Sequence, residues 1–170
     1  MNEILATILE HHKQHLSQIS QFTRTGYSFE EWLNWQAYWA CSQKKGWKSS
    51  PKPEYNAVGF KTSKSQADLL VEITGQAKAI IEFGLVHDWT QSHWRDKLEA
   101  DRKKLKPPFA EGFLPVQVVY VTSRTDFRQL DDWTRWLNKI SFWNQPAILN
   151  AATPFPDGGI FLMKAWSLKT

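Results

Sequence analysis

Two consecutive strand-like runs, each with an acidic residue inside apolar sequence, constrain this chain more than any other feature. They are residues 67–73 (ADLLVEI) and residues 79–85 (AIIEFGL). A carboxylate inside an apolar strand is costly to bury unless cations or hydrogen-bond donors lie beside it. Because side chains alternate between the two faces of a strand, a hairpin through residues 74–76 brings Asp68 and Glu82 together. The sequence therefore predicts a paired-acid site on two adjacent strands.

The two acids have the chemistry of a ligand pair for a divalent cation. A bound Mg²⁺, or alternatively Mn²⁺, lowers the pKa of a coordinated water and neutralises a phosphate under attack. We therefore predict Asp68 and Glu82 as metal ligands. The alternative is that each acid pairs with a nearby lysine or arginine and has a structural role.

The remaining sequence alternates between helical and strand patterns. Apolar residues at helical spacing predict a helix over residues 3–20. Ser28 followed by Glu31 is a capping-box signal for an aromatic helix. The other predicted elements are strands at 54–61, 67–73, 78–85, 115–122 and 160–166 and helices at 89–105 and 126–139. We expect an α/β fold, a central mixed sheet flanked by helices, in one domain over residues 1–170.

With the acids at these positions, this order of elements resembles the PD-(D/E)XK nuclease superfamily, the restriction-endonuclease-like fold. The resemblance covers residues 28–122 as helix, three strands, helix and strand (αβββαβ), with a helix added before it and a helix and strand after it. It implies metal-dependent phosphodiester hydrolysis with Asp68 and Glu82 as catalytic residues. The lysine of the family motif belongs two residues after Glu82, where this chain has Gly84.

Two other positions matter to this resemblance. A cation recruited from the helix after the acidic strands can replace the motif lysine, and Lys97 is our candidate, with Arg95 second. Many family members also carry a glutamate on the first helix, which the resemblance places at Glu31 or Gln36. His87, at the exit of the second acidic strand, is predicted to lie beside the site.

The basic helix suggests a nucleic-acid partner. Arg95, Lys97, Arg102 and Lys103 are our candidates for phosphate contacts, which draw on counterion release in a chain of net charge +4. The alternative is a solvated helix face with ion pairs along the helix.

The aromatic helix carries Trp32, Trp35 and Trp39 at helical spacing. We predict that these indoles pack into the core, and stacking on nucleic-acid bases is the alternative.

Two functions follow for this chain. The first is a metal-dependent nuclease acting on DNA or RNA. The second is a catalytically silent relative that binds nucleic acid or a protein partner, and a homodimer is compatible with either. No run is long and apolar enough for a membrane helix, and a single cysteine, Cys41, cannot form an internal disulfide. We therefore expect a cytoplasmic location and no membrane partner.

Overall fold

The computed structural model describes residues 1–58, 65–76, 78–90, 92–106 and 110–168. Within these ranges the chain forms five α-helices and two short 3₁₀ helices. The α-helices are α1 (Asn2–Gln14), α2 (Leu16–Thr23), α3 (Glu30–Ser42), α4 (Ser92–Lys104) and α5 (Asp131–Leu137), and the 3₁₀ helices are Tyr55–Val58 and Phe127–Gln129. None of the helices in the described ranges combines the length and the apolar composition needed to cross a bilayer.

The strands of the described residues form one mixed sheet of six. They are β1 (Trp47–Pro51), β2 (Leu69–Ile73), β3 (Lys78–His87), β4 (Phe113–Ser123), β5 (Leu149–Pro154) and β6 (Ile160–Ser167). Their order across the sheet is β1-β2-β3-β4-β6-β5. Neighbours are antiparallel except β3 and β4, which are parallel. A parallel pair needs a long crossover, and α4 supplies it.

Helices cover both faces of the sheet, so β3 and β4 are buried on both sides. Phe83 and Leu85 of β3 belong to the core formed with α1, α2 and α3. Val86 belongs to the core formed with α4 and α5. This double burial explains why β3 reads as a nearly continuous apolar run, in which Glu82 is the exception.

The predicted α/β architecture, a central mixed sheet flanked by helices, is confirmed at that level. The first strand was predicted wrongly at 54–61, since β1 is Trp47–Pro51 and Tyr55–Val58 is a 3₁₀ turn. Residues 59–64 of that prediction lie outside the described residues. The prolines at 51 and 53 end β1 rather than lead into a strand, because proline has no N–H to pair.

Three other boundaries differ from the prediction. The helix predicted over 3–20 is broken at His15, whose backbone (φ −111°, ψ 18°) departs from helical values. The helix predicted over 126–139 is shorter, because a 3₁₀ turn precedes α5. Strand β5 was not predicted, because Leu149–Pro154 is rich in alanine and lacks the β-branched apolar residues that mark a strand.

Candidate functional site

Strands β2 and β3 bring the two predicted acids together. Their register pairs Leu69 with Ile81, and just before β2 the Asp68 N–H donates to Ile81 O at 3.1 Å. Asp68 is thereby held beside β3, near Glu82. Burial raises the pKa of Glu82, and the nearby charge of Asp68 raises it further. The two carboxyl groups therefore interact electrostatically.

β3 continues past the end of its pairing with β2, which leaves alternate backbone N–H groups without a strand partner on that side. Three of these N–H groups donate to side-chain oxygens instead. The bonds run from Phe83 N to Asp68 Oδ2 at 2.8 Å, from Leu85 N to Glu30 Oε2 at 2.9 Å and from His87 N to Thr90 Oγ1 at 2.7 Å. An unpaired buried donor costs about 1–3 kcal/mol. Asp68 and Glu30 therefore stabilise β3 by acting as acceptors in place of a neighbouring strand.

Glu82 is buried, with only 3% of its surface exposed. The Tyr55 hydroxyl donates to Glu82 Oε1, and Lys104 Nζ lies 3.8 Å from the same oxygen. Burial and the charge of Asp68 raise the pKa of Glu82 to about 8, against the opposing effects of Tyr55 and Lys104. The buried carboxyl group of Glu82 therefore gives up its proton less readily than an ordinary glutamate.

Lys52 neutralises Asp68. Its Nζ lies 3.0 Å from Asp68 Oδ1 and 3.1 Å from Glu31 Oε2. Burial opposes the charge of Lys52, but hydrogen bonding to Asp68 raises its pKa overall. Lys52 is the one non-glycine residue of the described chain with positive φ (49°), an uncommon conformation that tends to occur at functional or strained sites.

The lysines of α4 form a second set of ion pairs. Lys97 Nζ lies 3.0 Å from Glu30 Oε1 and 3.2 Å from Asp101 Oδ2, and these two acids raise the pKa of Lys97 against its burial. Lys104 Nζ lies 2.6 Å from Asp101 Oδ1. Because Lys104 is also the α4 lysine that approaches Glu82, it takes the place that we predicted for Lys97.

Gly84, where the resemblance places a motif lysine, lies against α4. A Cβ atom on Gly84 would lie 2.2 Å from Leu98 Cδ2, far inside van der Waals contact. Leu98 is itself 2% exposed. Glycine at 84 thus allows α4 to approach β3 closely, and any larger side chain there requires Leu98 to move.

In the structure, oxygen atoms of both Asp68 and Glu82 are engaged by partners within the protein. Both oxygens of Asp68 are already bonded, one to Lys52 and one to a backbone N–H, and Glu82 is buried beside Tyr55. In the part of the chain that the structure describes, no three His, Cys, Asp or Glu side chains are grouped to hold a metal ion.

The two helix positions predicted from the resemblance lie in different surroundings. Glu31 forms an ion pair with Lys52, which also pairs with Asp68. Gln36 turns to α1, where its Oε1 lies 2.8 Å from His11 Nε2. The helix glutamate that reaches β3 is Glu30, one residue before our candidate.

The predicted phosphate contacts are largely engaged within the protein. Arg95 lies 3.6 Å from Asp96, and Lys97 is paired as described above. Arg102 donates to Gln117 and Gln145, and its guanidinium lies over the Phe142 ring. Lys103 is exposed and has no ion pair within the described ranges. Lys103 is therefore the one candidate of the four that is free to meet a phosphate.

His87 does not join the acids. Its Nδ1 accepts from the backbone N–H of Trp89 at 3.3 Å, and burial lowers its pKa. With Trp133 and Trp136 it lines a separate small cavity at the ends of β3 and β4.

Sequence reasoning missed Glu30, Tyr55 and Lys104, although one signal for Lys104 was present. Lys97, Asp101 and Lys104 recur at i, i+4 and i+7, which puts all three on one face of a helix. Leu98 and Leu105 flank this stripe and are buried. Two lysines on one helix face, next to a buried apolar face, therefore indicated that this part of α4 lies against acidic side chains of other elements.

The aromatic helix differs most from our prediction. Its buried face carries Leu33, Asn34, Ala37, Ala40 and Cys41, whereas Trp35 and Trp39 are 48% and 54% exposed. Trp32 alone of the three indoles packs inward, against Phe22. The smaller residues form the buried face because α3 lies close to α1 and to the sheet.

Comparisons of the chain with protein-family models, with curated proteins and with solved structures find no match. The assignment of a function therefore depends on the geometry given above.

Proposed function

We propose that this chain is a nuclease-like domain without hydrolytic activity that serves as a protein-binding module. The order α3-β1-β2-β3-α4-β4, with three antiparallel strands followed by a parallel one, supports the nuclease-like architecture. The proximity of Asp68, which lies just before β2, to Glu82 on β3 supports the same relationship.

One observation carries the proposed loss of hydrolysis. Leu98 fills the space beside Gly84, and Glu82, which contacts Tyr55 and Lys104, is 3% exposed. A phosphodiester and its attacking water must both reach the catalytic groups. The burial of Glu82 argues against access for both.

The acids have a structural reason to persist without catalysis. Asp68 and Glu30 accept the backbone N–H groups of Phe83 and Leu85 at the unpaired edge of β3. Lys52 and Lys97 compensate the charges of these two acids. A hydrogen bond to a charged group contributes about 1.5–3 kcal/mol, so loss of either acid destabilises the fold.

The surface of α3 supports the binding role. Trp35 and Trp39 lie one turn apart and are both about half exposed, and large exposed aromatic groups mark interaction sites. Trp39 borders a groove of about 390 Å³ between α1 and α3. Glu10 and Lys44 lie along this groove, so its charge is mixed. Tryptophan anchors with charges of both signs favour a protein partner, because a polyanion is best met by a uniformly basic surface.

Affinity capture with matched variants tests this role. Native protein, a Trp35→Ala/Trp39→Ala variant and a Tyr27→Ala control are incubated with nuclease-treated cell extract. Tyr27 is 79% exposed and lies outside α3, so this control removes an exposed aromatic ring elsewhere. We expect proteins that the native chain and the control retain and the double variant loses.

Binding to labelled single-stranded and double-stranded oligonucleotides is measured alongside by fluorescence anisotropy. We expect no saturable binding near physiological salt. Identical captured proteins for native protein and both variants, or saturable oligonucleotide binding, would contradict a protein-binding role for this surface.

Phosphodiester hydrolysis is a second candidate, favoured by the position of Lys104. Its Nζ lies 3.8 Å from Glu82 Oε1, close enough to supply the charge that Gly84 cannot. Cleavage of plasmid and single-stranded substrates, in buffers containing Mg²⁺ or Mn²⁺, tests this candidate. Activity lost in Lys104→Ala and kept in Lys103→Ala would establish it, whereas inactive native protein supports the silent role.

A further inference from the structure

The sheet has two edge strands, β1 and β5, and they differ in how they are protected. An open edge presents unpaired backbone groups to other chains, and proteins usually guard it with lysine, proline or short strands. On β1, the N–H of Trp47 bonds to Lys44 O at 3.2 Å. Proline at 51 has no N–H, and the Lys48 side chain is 78% exposed. The β1 edge is therefore blocked against pairing.

The β5 edge has no comparable charge protection. Residues 140–156 contain no Asp, Glu, Lys, Arg or His. β5 itself alternates between half-buried and exposed residues, and the neighbouring Ile148 is 39% exposed. Pro154 at the end of the strand is its one protective residue.

The register shows which backbone groups β5 leaves open. Phe155 N donates to Gly159 O at 3.2 Å, which continues the β5–β6 register in which Thr153 pairs with Phe161. Odd-numbered residues of β5 therefore bond to β6, and the N–H and C=O groups of Asn150 and Ala152 point outward. In the described residues, no turn, loop or side-chain hydrogen bond reaches these outward groups.

We infer that this edge is the interface of a symmetric dimer, in which β5 pairs antiparallel with β5 of a second copy of the chain. A two-fold axis beside Ala151 sets Asn150 of each copy opposite Ala152 of the other, which gives two such pairs. Each of these pairs exchanges two N–H···O bonds, so every open donor finds an acceptor. The two six-stranded sheets then become one continuous sheet.

A second copy fits this edge for two reasons. The pattern of donors and acceptors is self-complementary, as a two-fold interface requires. The residues facing each other at the axis are both Ala151, and a non-hydrogen-bonded pair, with Cα atoms about 4.5 Å apart, accepts such small side chains without crowding. The inference does not depend on the proposed function, since the β5 edge includes neither the acids Asp68 and Glu82 nor the exposed Trp35 and Trp39 of α3.

Sedimentation velocity over a range of protein concentrations tests the inference with three variants. Ala152→Pro removes an outward donor that the fold does not use, so we expect loss of the dimer with the secondary structure of the native fold retained by circular dichroism. Asn150→Lys places a charge at the edge without removing a donor, and we also expect a monomer. Trp35→Ala/Trp39→Ala changes a different surface and is expected to stay dimeric.

Each contrary result would overturn the inference. If native protein stays monomeric at all concentrations, the proposed dimer does not form. A dimer that survives both Ala152→Pro and Asn150→Lys uses another surface. A dimer lost only in the tryptophan variant places the interface on α3.

Discussion

Replacing Gly84 with alanine tests whether α4 packs as closely on β3 as the Gly84–Leu98 contact indicates. The added methyl group would lie 2.2 Å from Leu98 Cδ2. Leu98 is 2% exposed, so its side chain has little room to move away. We expect Gly84→Ala to destabilise the fold by about 1–3 kcal/mol, the usual cost of overpacking a core. The conformational advantage of alanine over glycine in a strand offsets part of this cost.

The double variant Gly84→Ala/Leu98→Ala gives the coupling energy between the two positions, which decides the question. Leu98→Ala alone creates a cavity and is expected to cost about 2–5 kcal/mol. If the two changes were independent, the double variant would lose about 3–8 kcal/mol in total. We expect instead that the new methyl group at 84 occupies part of the cavity left by Leu98. The double variant should then be at least as stable as Leu98→Ala alone, with a favourable coupling energy of about 1–3 kcal/mol.

Urea unfolding followed by tryptophan fluorescence measures the four corners of this cycle. Gly84→Ala combined with Leu33→Ala serves as the matched control, because Leu33 is fully buried on the opposite face of the sheet. The control pair should be additive. Additive energies for the Gly84–Leu98 pair as well would refute the close contact, and with it the argument that Leu98 fills the place of the motif lysine.

Three further predictions concern the acids and the thiol. Asp68→Ala should lower the free energy of unfolding by about 1–3 kcal/mol in urea titrations, because the variant leaves the buried N–H of Phe83 without its acceptor and Lys52 with Glu31 alone; a loss below about 0.5 kcal/mol would contradict the structural role. For Glu82, the folded pKa of about 8 exceeds the ordinary 4.5, so its contribution to stability is fully present below pH 4.5 and is lost as pH rises through 8. Native protein should therefore lose stability relative to Glu82→Gln between pH 5 and 8, and parallel pH profiles would contradict the raised pKa. Burial raises the pKa of Cys41 to about 12, so its thiol should react slowly with a disulfide reagent at pH 8 in native protein and rapidly in denaturant; fast reaction of folded protein would show that the thiol is accessible.

The paired acids could be predicted because an interior carboxylate stands out against an apolar strand. Strand alternation and a short turn were enough to predict that Asp68 lies near Glu82. Their partners could not be predicted in the same way, since Tyr55 and Lys104 are far from Glu82 in sequence. The distance between α4 and β3, fixed by Gly84, decides which lysine approaches Glu82, and no local pattern encodes that distance.

The aromatic helix shows a different limit of sequence reasoning. Helical spacing identified a stripe containing Trp35 and Trp39, but spacing does not say which stripe faces the core. Hydrophobicity favoured the tryptophans, whereas the close approach of α1 and the sheet favoured the small residues Ala37 and Ala40. The outward tryptophans are thus a consequence of tight helix packing on the other side of α3.

The strand prediction failed at β1 and β5 because both are edge strands with few β-branched apolar residues. An edge strand makes half the pairings of a central one, so its sequence is less constrained. Serine and alanine in these strands therefore gave no signal.

A calorimetric titration with Mn²⁺ tests the central claim most directly, since the claim is that Asp68 and Glu82 are committed to internal partners. Native protein and the Asp68→Ala and Glu82→Gln variants are titrated at pH 7.5 under identical conditions. We predict no saturable heat for native protein and no difference between native protein and either variant. A saturable site in native protein that both substitutions abolish would contradict the claim and would show that the two acids form a working metal centre.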